Sequence, residues 1–164
     1  MKRRALITGG AKRLGKAMAL ELAEQGIDIV IHFNSSSEEA EETRDLAKKN
    51  GVNAELLKAD LLEMDKTIGL IKKARTLIGG PLDILINNAS IFEYDNLETV
   101  NLSSWNRHLD SNLRAAVFLT QEFSEQAPKM TNKNNELPFA TSNVINIIDP
   151  VSYTHLTLPT TPYV

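Results

Sequence analysis

The 164-residue sequence contains no cysteine, which excludes disulfides, thiolate metal ligands and a cysteine nucleophile. It has no apolar run near the roughly 20 residues of a membrane-spanning helix, and no signal-peptide pattern opens it. It also lacks a large excess of either charge. Eighteen Lys and Arg stand against 21 Asp and Glu, a net charge of −3, and this gives no reason to expect nucleic acid or an anionic membrane as partner. Lys2, Arg3 and Arg4 read as solvated residues before a buried strand. No His/Asp/Glu grouping has metal-ligand spacing, so no metal is expected. What is present is ordinary for a globular protein, 42% apolar and 24% charged, over a length sufficient for one domain with a real core. The expectation is a soluble cytoplasmic protein.

Strand and helix patterns alternate along the chain. Arg3 to Thr8 read as a short strand, "GGAKRLG" as a glycine turn, and "KAMALELAEQG" as a helix stopped at Gly26. "IDIVIHF" is a continuous apolar run, as in a strand buried on both faces of a parallel sheet. "NSSSEEAEETRDLAKKNG" predicts a helix with Ser36 or Ser37 as cap, Glu in its first turn and Lys in its last, the order that complements the helix dipole. "NAELLKAD" is a third strand, and "LLEMDKTIGLIKKARTLIGG" a third helix closed by glycines. "LDILINNAS" is a fourth strand. "SSWNRHLDSNLRAAVFLTQEFSEQAP" is a long helix that Pro128 should end, with Leu109, Leu113, Ala116 and Val117 on its apolar face. "NVINIID" is a fifth strand after a polar connection. No internal repeat or domain linker interrupts this order. The βαβ spacing predicts an α/β, Rossmann-type, doubly wound parallel sheet of order 3-2-1-4-5. Ligands of such sheets sit at the carboxyl ends of the strands.

The first strand runs into "TGGAKRLG". Gly9 and Gly10 allow a tight turn, and the helix behind it points free N–H groups at whatever binds there, which suits a pyrophosphate. On its own this string serves a nucleotide and a merely steric turn equally well. The second strand ends in His32, Phe33 and Asn34, with Ser35 and Ser36 following. No carboxylate appears until Glu38, although an NAD site usually has an acid there for the ribose hydroxyls. Cations at Lys12 and Arg13, with hydroxyls and no acid, suit a 2′-phosphate and favour NADPH over NADH. Asn87 and Asn88 follow an apolar run, where amides are costly unless hydrogen-bonded.

Taken in order, "TGGAKRLG", Asp60 after strand three, "NNAS" after strand four, Asn112 in a helix and "INIID" on strand five resemble the short-chain dehydrogenase/reductase family, from about residue 3 to Pro150. Arg13 where many members have Gly, "HFNSS", "NASIF" and Asp149 where most have the catalytic Ser resemble its pteridine reductase branch. The resemblance implies a cofactor site of Thr8, Gly9, Lys12, Arg13, Leu14, Gly15, His32, Asn34, Ser35, Ser36, Asp60, Leu61, Asn88, Ala89 and Ser90. It implies a pterin pocket of Arg13, Ser90, Phe92 and Asp149. Asn112 would hold a water of the proton relay, and Asp149 would work with a Tyr whose pKa a Lys four residues later lowers. Bland alternatives stand beside three of these: Asp60 as a helix cap, Phe92 as core and Asn112 as a surface residue. His108 is read as surface or packing.

That Tyr-x-x-x-Lys pair is not in the sequence. Tyr153 is followed four residues on by Thr157, Tyr163 by nothing, and no Lys occurs after Lys133. Residues 151–164 hold no charged residue but four Thr and two Pro. "VSYTHLTLPTT" resembles one translated reading frame of a transposase-type sequencing adapter. The expectation is therefore a native portion over 1–150, the NADP-binding domain, and a disordered non-native tail over 151–164. The chain would be a fragment, truncated after the fifth strand and inactive as it stands. The parent reads as an NADPH-dependent reductase of a pterin or dihydrofolate-like ring, and a homo-oligomer, commonly a tetramer in that family. Alternatives are a 3-oxoacyl thioester reductase of the same family and a non-catalytic nucleotide-binding sensor.

Overall fold

The computed structural model describes residues 2–127 and 142–148. Pro128, most of the polar connection after it, Asp149 and the tail lie outside the described residues. The strands β1 (Arg4–Ile7), β2 (Asp28–Phe33), β3 (Ala54–Lys58), β4 (Ile84–Asn87) and β5 (Asn143–Asn146) form one parallel sheet of order β3-β2-β1-β4-β5. This is the order expected from the βαβ spacing.

Alternation along each strand divides the core into two layers. On one face Leu6, Val30, Leu57 and Leu85 pack with Ile71, Ala74, Ile78, Leu119 and Phe123. On the other, Ala5, Ile7, Ile29, Ile31, Ile84 and Ile86 pack with Ala19, Ala23 and Ala47. The helices that supply these residues are α1 (Arg13–Glu24), α2 (Ser37–Lys48), α4 (Leu70–Ile78) and α6 (Ala115–Gln126). β2 lies between two other strands and under both layers, so all six of its residues are buried, Asp28 and His32 included. Asp28 remains tolerable because it accepts the Asn53 N–H at 2.7 Å and pairs with Lys2 at 2.8 Å.

Two helices differ from the pattern reading. The third breaks into a single turn, α3 (Met64–Thr67), and α4, because Ile68 turns extended and Gly69 takes φ +81°. No local side chain caps α4. Glu122 of α6 does so from across the layer, accepting the N–H of Gly69 and, at 3.2 Å, that of Ile71. The long helix is α5 (Leu102–Leu109), a π-helical turn over Asp110–Arg114, and then α6. The extra residue of a π turn rotates the helix beyond it relative to the helix before. The core-facing set is Ser111, Ala115, Leu119 and Phe123, while Leu109, Leu113 and Val117 are 38%, 58% and 55% exposed. The apolar face read at uniform 3.6-residue spacing is the outer one.

Since Glu122 supplies the only side-chain acceptor described at the head of α4, Glu122→Ala should destabilise the chain by about 1–2 kcal/mol. Urea unfolding of this variant beside Glu125→Ala, an exposed acid one turn on, checks this. Equal midpoints would refute it.

Candidate functional site

The site is built on the carboxyl end of β1. Thr8 Oγ1 accepts the N–H groups of Asn88 and Ala89, both at 2.9 Å, and donates to Ile86 O at 3.3 Å. Every hydrogen-bonding position of that hydroxyl is filled. Asn88 Nδ2 returns to Thr8 O at 3.0 Å and Gly9 O at 3.1 Å. The "NN" after β4 is thereby explained for its second member, whose amide clamps the glycine turn. Asn87 Nδ2 donates to Asn146 Oδ1 at 2.8 Å and Thr120 Oγ1 at 3.3 Å, bracing β4 against β5 and α6.

A second tie comes from β2. Gly9 N–H donates to His32 Nδ1 at 3.2 Å, and His32 Nε2 lies 3.1 Å from Ala59 O. An accepting Nδ1 places the proton on Nε2, which donates to Ala59. Burial lowers the His32 pKa to about 4, so the ring is neutral at pH 7 and holds this tautomer. His32, expected as a cofactor contact, is thus enclosed, and it reaches the surface only through Gly9. α1 seats directly on the turn, where a Cβ on Gly15 would lie 2.1 Å from Gly9 O. Only glycine fits there. Between them Arg13 adopts φ +50° and Gly9 φ +62°. For Arg13 this left-handed conformation is strained.

Beside the turn is a cleft of about 140 Å³ lined by Gly9, Ala11, Lys12, Phe33, Asn34, Ser35 and Ser36. Of the two serines read as caps, Ser36 occupies the cap position of α2, though its hydroxyl makes no capping bond. Lys12 Nζ, at the cap position of α1, pairs with Glu39 Oε1 at 2.5 Å, and Lys16 with Glu42 at 2.9 Å, a two-rung ladder from the start of α1 to α2. The Lys12 bond holds the Glu39 carboxyl below its usual range. Thr43, fully buried on α2, donates to Ala11 O at 3.1 Å. Asp60 Oδ1 accepts Leu62 N–H at 3.0 Å, a local turn close to the cap alternative, and the Leu61 side chain joins the core. Leu14 is exposed.

The remaining candidates lie on the segment after β4. Ser90 is exposed, and Phe92 is 68% exposed, which rules out the core reading of its ring. Asn112, in the π turn, accepts Ile91 N–H and donates to Ile91 O, both at 2.9 Å. Its side chain therefore anchors this segment rather than standing free. His108 Nε2 accepts Glu93 N–H at 3.0 Å and Arg107 pairs with Glu93 at 2.6 Å, so both serve the same segment. Asp149 lies outside the described residues. The structure therefore joins Thr8, Gly9, Gly15, His32, Asn88 and Ala89 in one network, sets Lys12, Asn34, Ser35 and Ser36 beside it, and holds Ser90 and Phe92 apart on the loop. Sequence reasoning missed Glu39 and Thr43. A Thr amid charged residues at the inward spacing of Ala40 and Ala47 was the available signal for the second.

The sequence model of the short chain dehydrogenase family matches residues 3–137. A 3-oxoacyl-[acyl-carrier-protein] reductase of Staphylococcus aureus is 30% identical over 126 residues, 77% of this chain and 51% of that protein. The chain thus spans about half the length of the curated relatives it matches. Among solved structures, FolM alternative dihydrofolate reductase 1 from Brucella suis, in complex with NADP, superposes with a TM-score of 0.79 at 33% identity, covering 93% of this chain and 59% of that one. Acetoin dehydrogenase YohF from Salmonella typhimurium superposes at 0.80 and 26% identity, covering 97% and 58%.

The buried His32 makes stability depend on pH. An unfolded His takes up its proton near pH 6.5, the buried ring only near pH 4. Stability is therefore full above about pH 6.5 and falls as pH drops toward 4, by about 2 kcal/mol between pH 7 and pH 5. Denaturant midpoints across that range check this, and His32→Gln should flatten the slope. Arg13→Gly removes the left-handed strain and should raise stability by about 1 kcal/mol. A lower melting temperature for this variant would show the strain to be absent.

Proposed function

The chain belongs to the short-chain dehydrogenase family, and on that premise we propose that the whole protein is an NADPH-dependent reductase of a pterin or dihydrofolate-like ring. The observation that carries the cofactor choice is the end of β2. It delivers Asn34, Ser35 and Ser36, with Lys12 opposite and no carboxylate in the lining, to one cleft. A ribose hydroxyl pair would meet no acid in that lining, whereas a 2′-phosphate would meet hydroxyls and the Lys12 ammonium, which Glu39 holds from outside it. The neighbouring turn fits the rest of a dinucleotide: the absence of room for a Cβ at Gly15 brings backbone and the start of α1 to the surface, where a pyrophosphate binds. Asp60 and the Leu61 backbone would hold adenine, and Asn88, Ala89 and Ser90 would line the nicotinamide end. Bound NADPH supplies the hydride.

The choice of substrate is supported by the exposed Phe92 ring, free to stack on a flat heterocycle, by Arg13 and Ser90, and by the 33% identity to the Brucella dihydrofolate reductase. Asn112 fixes the segment that carries Phe92, and Asp149 would share the relay that returns a proton to the reduced ring. The similarity to the Staphylococcus enzyme favours, as a second reading, a 3-oxoacyl thioester reductase. Asp149 in place of that group's Ser argues against it. No Tyr in the 164 residues is followed by Lys four positions on, so this chain should bind cofactor without turnover.

Titration of the chain with NADPH and NADH should show NADPH bound at least about tenfold tighter, the worth of one charge-assisted phosphate contact. Arg13→Ala should weaken NADPH more than NADH. Equal affinities would refute the cofactor assignment, and turnover of dihydrobiopterin by the 164-residue chain would refute its inactivity.

A further inference from the structure

Lys12 is the cation that lines the cleft, yet it is already engaged. Its Nζ is 2.5 Å from Glu39 Oε1, with both side chains nearly half-exposed, 49% and 42%. Glu39 stands in the first turn of α2, one turn from the cleft residue Ser36. A phosphate held by Asn34, Ser35 and Ser36 would therefore share its cation with a carboxylate and lie near that carboxylate's charge. We propose that Glu39 is a specificity-determining residue: it holds Lys12 in the free cleft and must release it to a 2′-phosphate, so that the Lys12–Glu39 pair sets how strongly a phosphorylated cofactor is preferred. This rests on the reading of the cleft as a 2′-phosphate site.

The exchange is physically easy. The lysine stem is flexible and its ammonium has three donors, and an exposed pair of this kind holds by a factor of only roughly 1.5 to 5. A phosphate dianion competes well against one carboxylate. The carboxyl of Glu39, held below its usual range by Lys12, is ionised at neutral pH, so the competition is present whenever the enzyme works. The second rung of the ladder provides an internal reference. Lys16–Glu42 joins the same two helices at 2.9 Å but does not line the cleft. Glu38, the other acid of the first turn, pairs with no cation among the described residues.

The test uses 2′,5′-ADP and 5′-AMP, which differ only in the 2′-phosphate, titrated calorimetrically into the 164-residue chain. Glu39→Gln should tighten 2′,5′-ADP by roughly three- to tenfold, the pair's own factor plus the removed repulsion, and leave 5′-AMP unchanged. Glu42→Gln should change neither, and Glu38→Gln should give less than Glu39→Gln. In a Lys12→Met background the gain from Glu39→Gln should shrink to the Glu38→Gln level. If Glu39→Gln melts early, Glu39→Asp, with a shorter reach and the charge retained, should show a smaller shift in the same direction. Unchanged 2′,5′-ADP affinity in Glu39→Gln, or an equal gain without Lys12, would overturn the inference while leaving the cleft reading intact. A wild-type chain that binds the two nucleotides equally would overturn both.

Discussion

The site depends on the saturation of one hydroxyl. Thr8 Oγ1 accepts two backbone N–H groups from the segment after β4 and donates to a carbonyl of β4. With Asn88 Nδ2 on the carbonyls of Thr8 and Gly9, this locks two adjacent strand ends at a single spacing. His32 adds the third strand by taking Gly9 N–H, and the fourth by donating to Ala59. The ends of β2 and β4 thus both bond Gly9, Ala59 holds it through His32, and the glycine turn is held rather than merely permitted. Gly15 can then sit against Gly9 O because the position of that oxygen is set from both sides.

Two kinds of polar group with opposite physics meet within this small region. His32 is enclosed and neutral, since burial suppresses its charge, and its two ring nitrogens are both committed. Lys12 and Glu39 are charged, solvated and paired at little energetic advantage. The first kind gives the turn its shape, and the second borders the adjoining cleft.

The π turn at Asp110–Arg114 does similar work on the other side of the sheet end. It shifts the helix register so that Ala115, Leu119 and Phe123 reach the core while Asn112 turns toward the segment after β4 and holds Ile91 by both its N–H and its carbonyl. His108 and Arg107 secure Glu93 a few residues on.

The sequence alone was enough for the sheet order, the strand positions and the location of the glycine turn, because apolar runs of strand length, βαβ spacing and Gly are local signals. It was also enough to single out Asn88, since an amide at the end of a buried strand needs a partner. Tertiary structure decided what local pattern could not. Glu122 caps a helix some fifty residues away, at the break where Gly69 takes a left-handed conformation. His32 looks like a site residue in sequence, and only packing between β1 and β3 encloses it. Two apolar stripes run along α5 and α6 at helical spacing, and only packing shows that Ala115, Leu119 and Phe123 rather than Leu109, Leu113 and Val117 face the core. Lys12 reads as a free cation until α2 brings Glu39 to 2.5 Å. Each of these follows from contacts between segments distant in the chain, and the energies that select them arise only when the layers close.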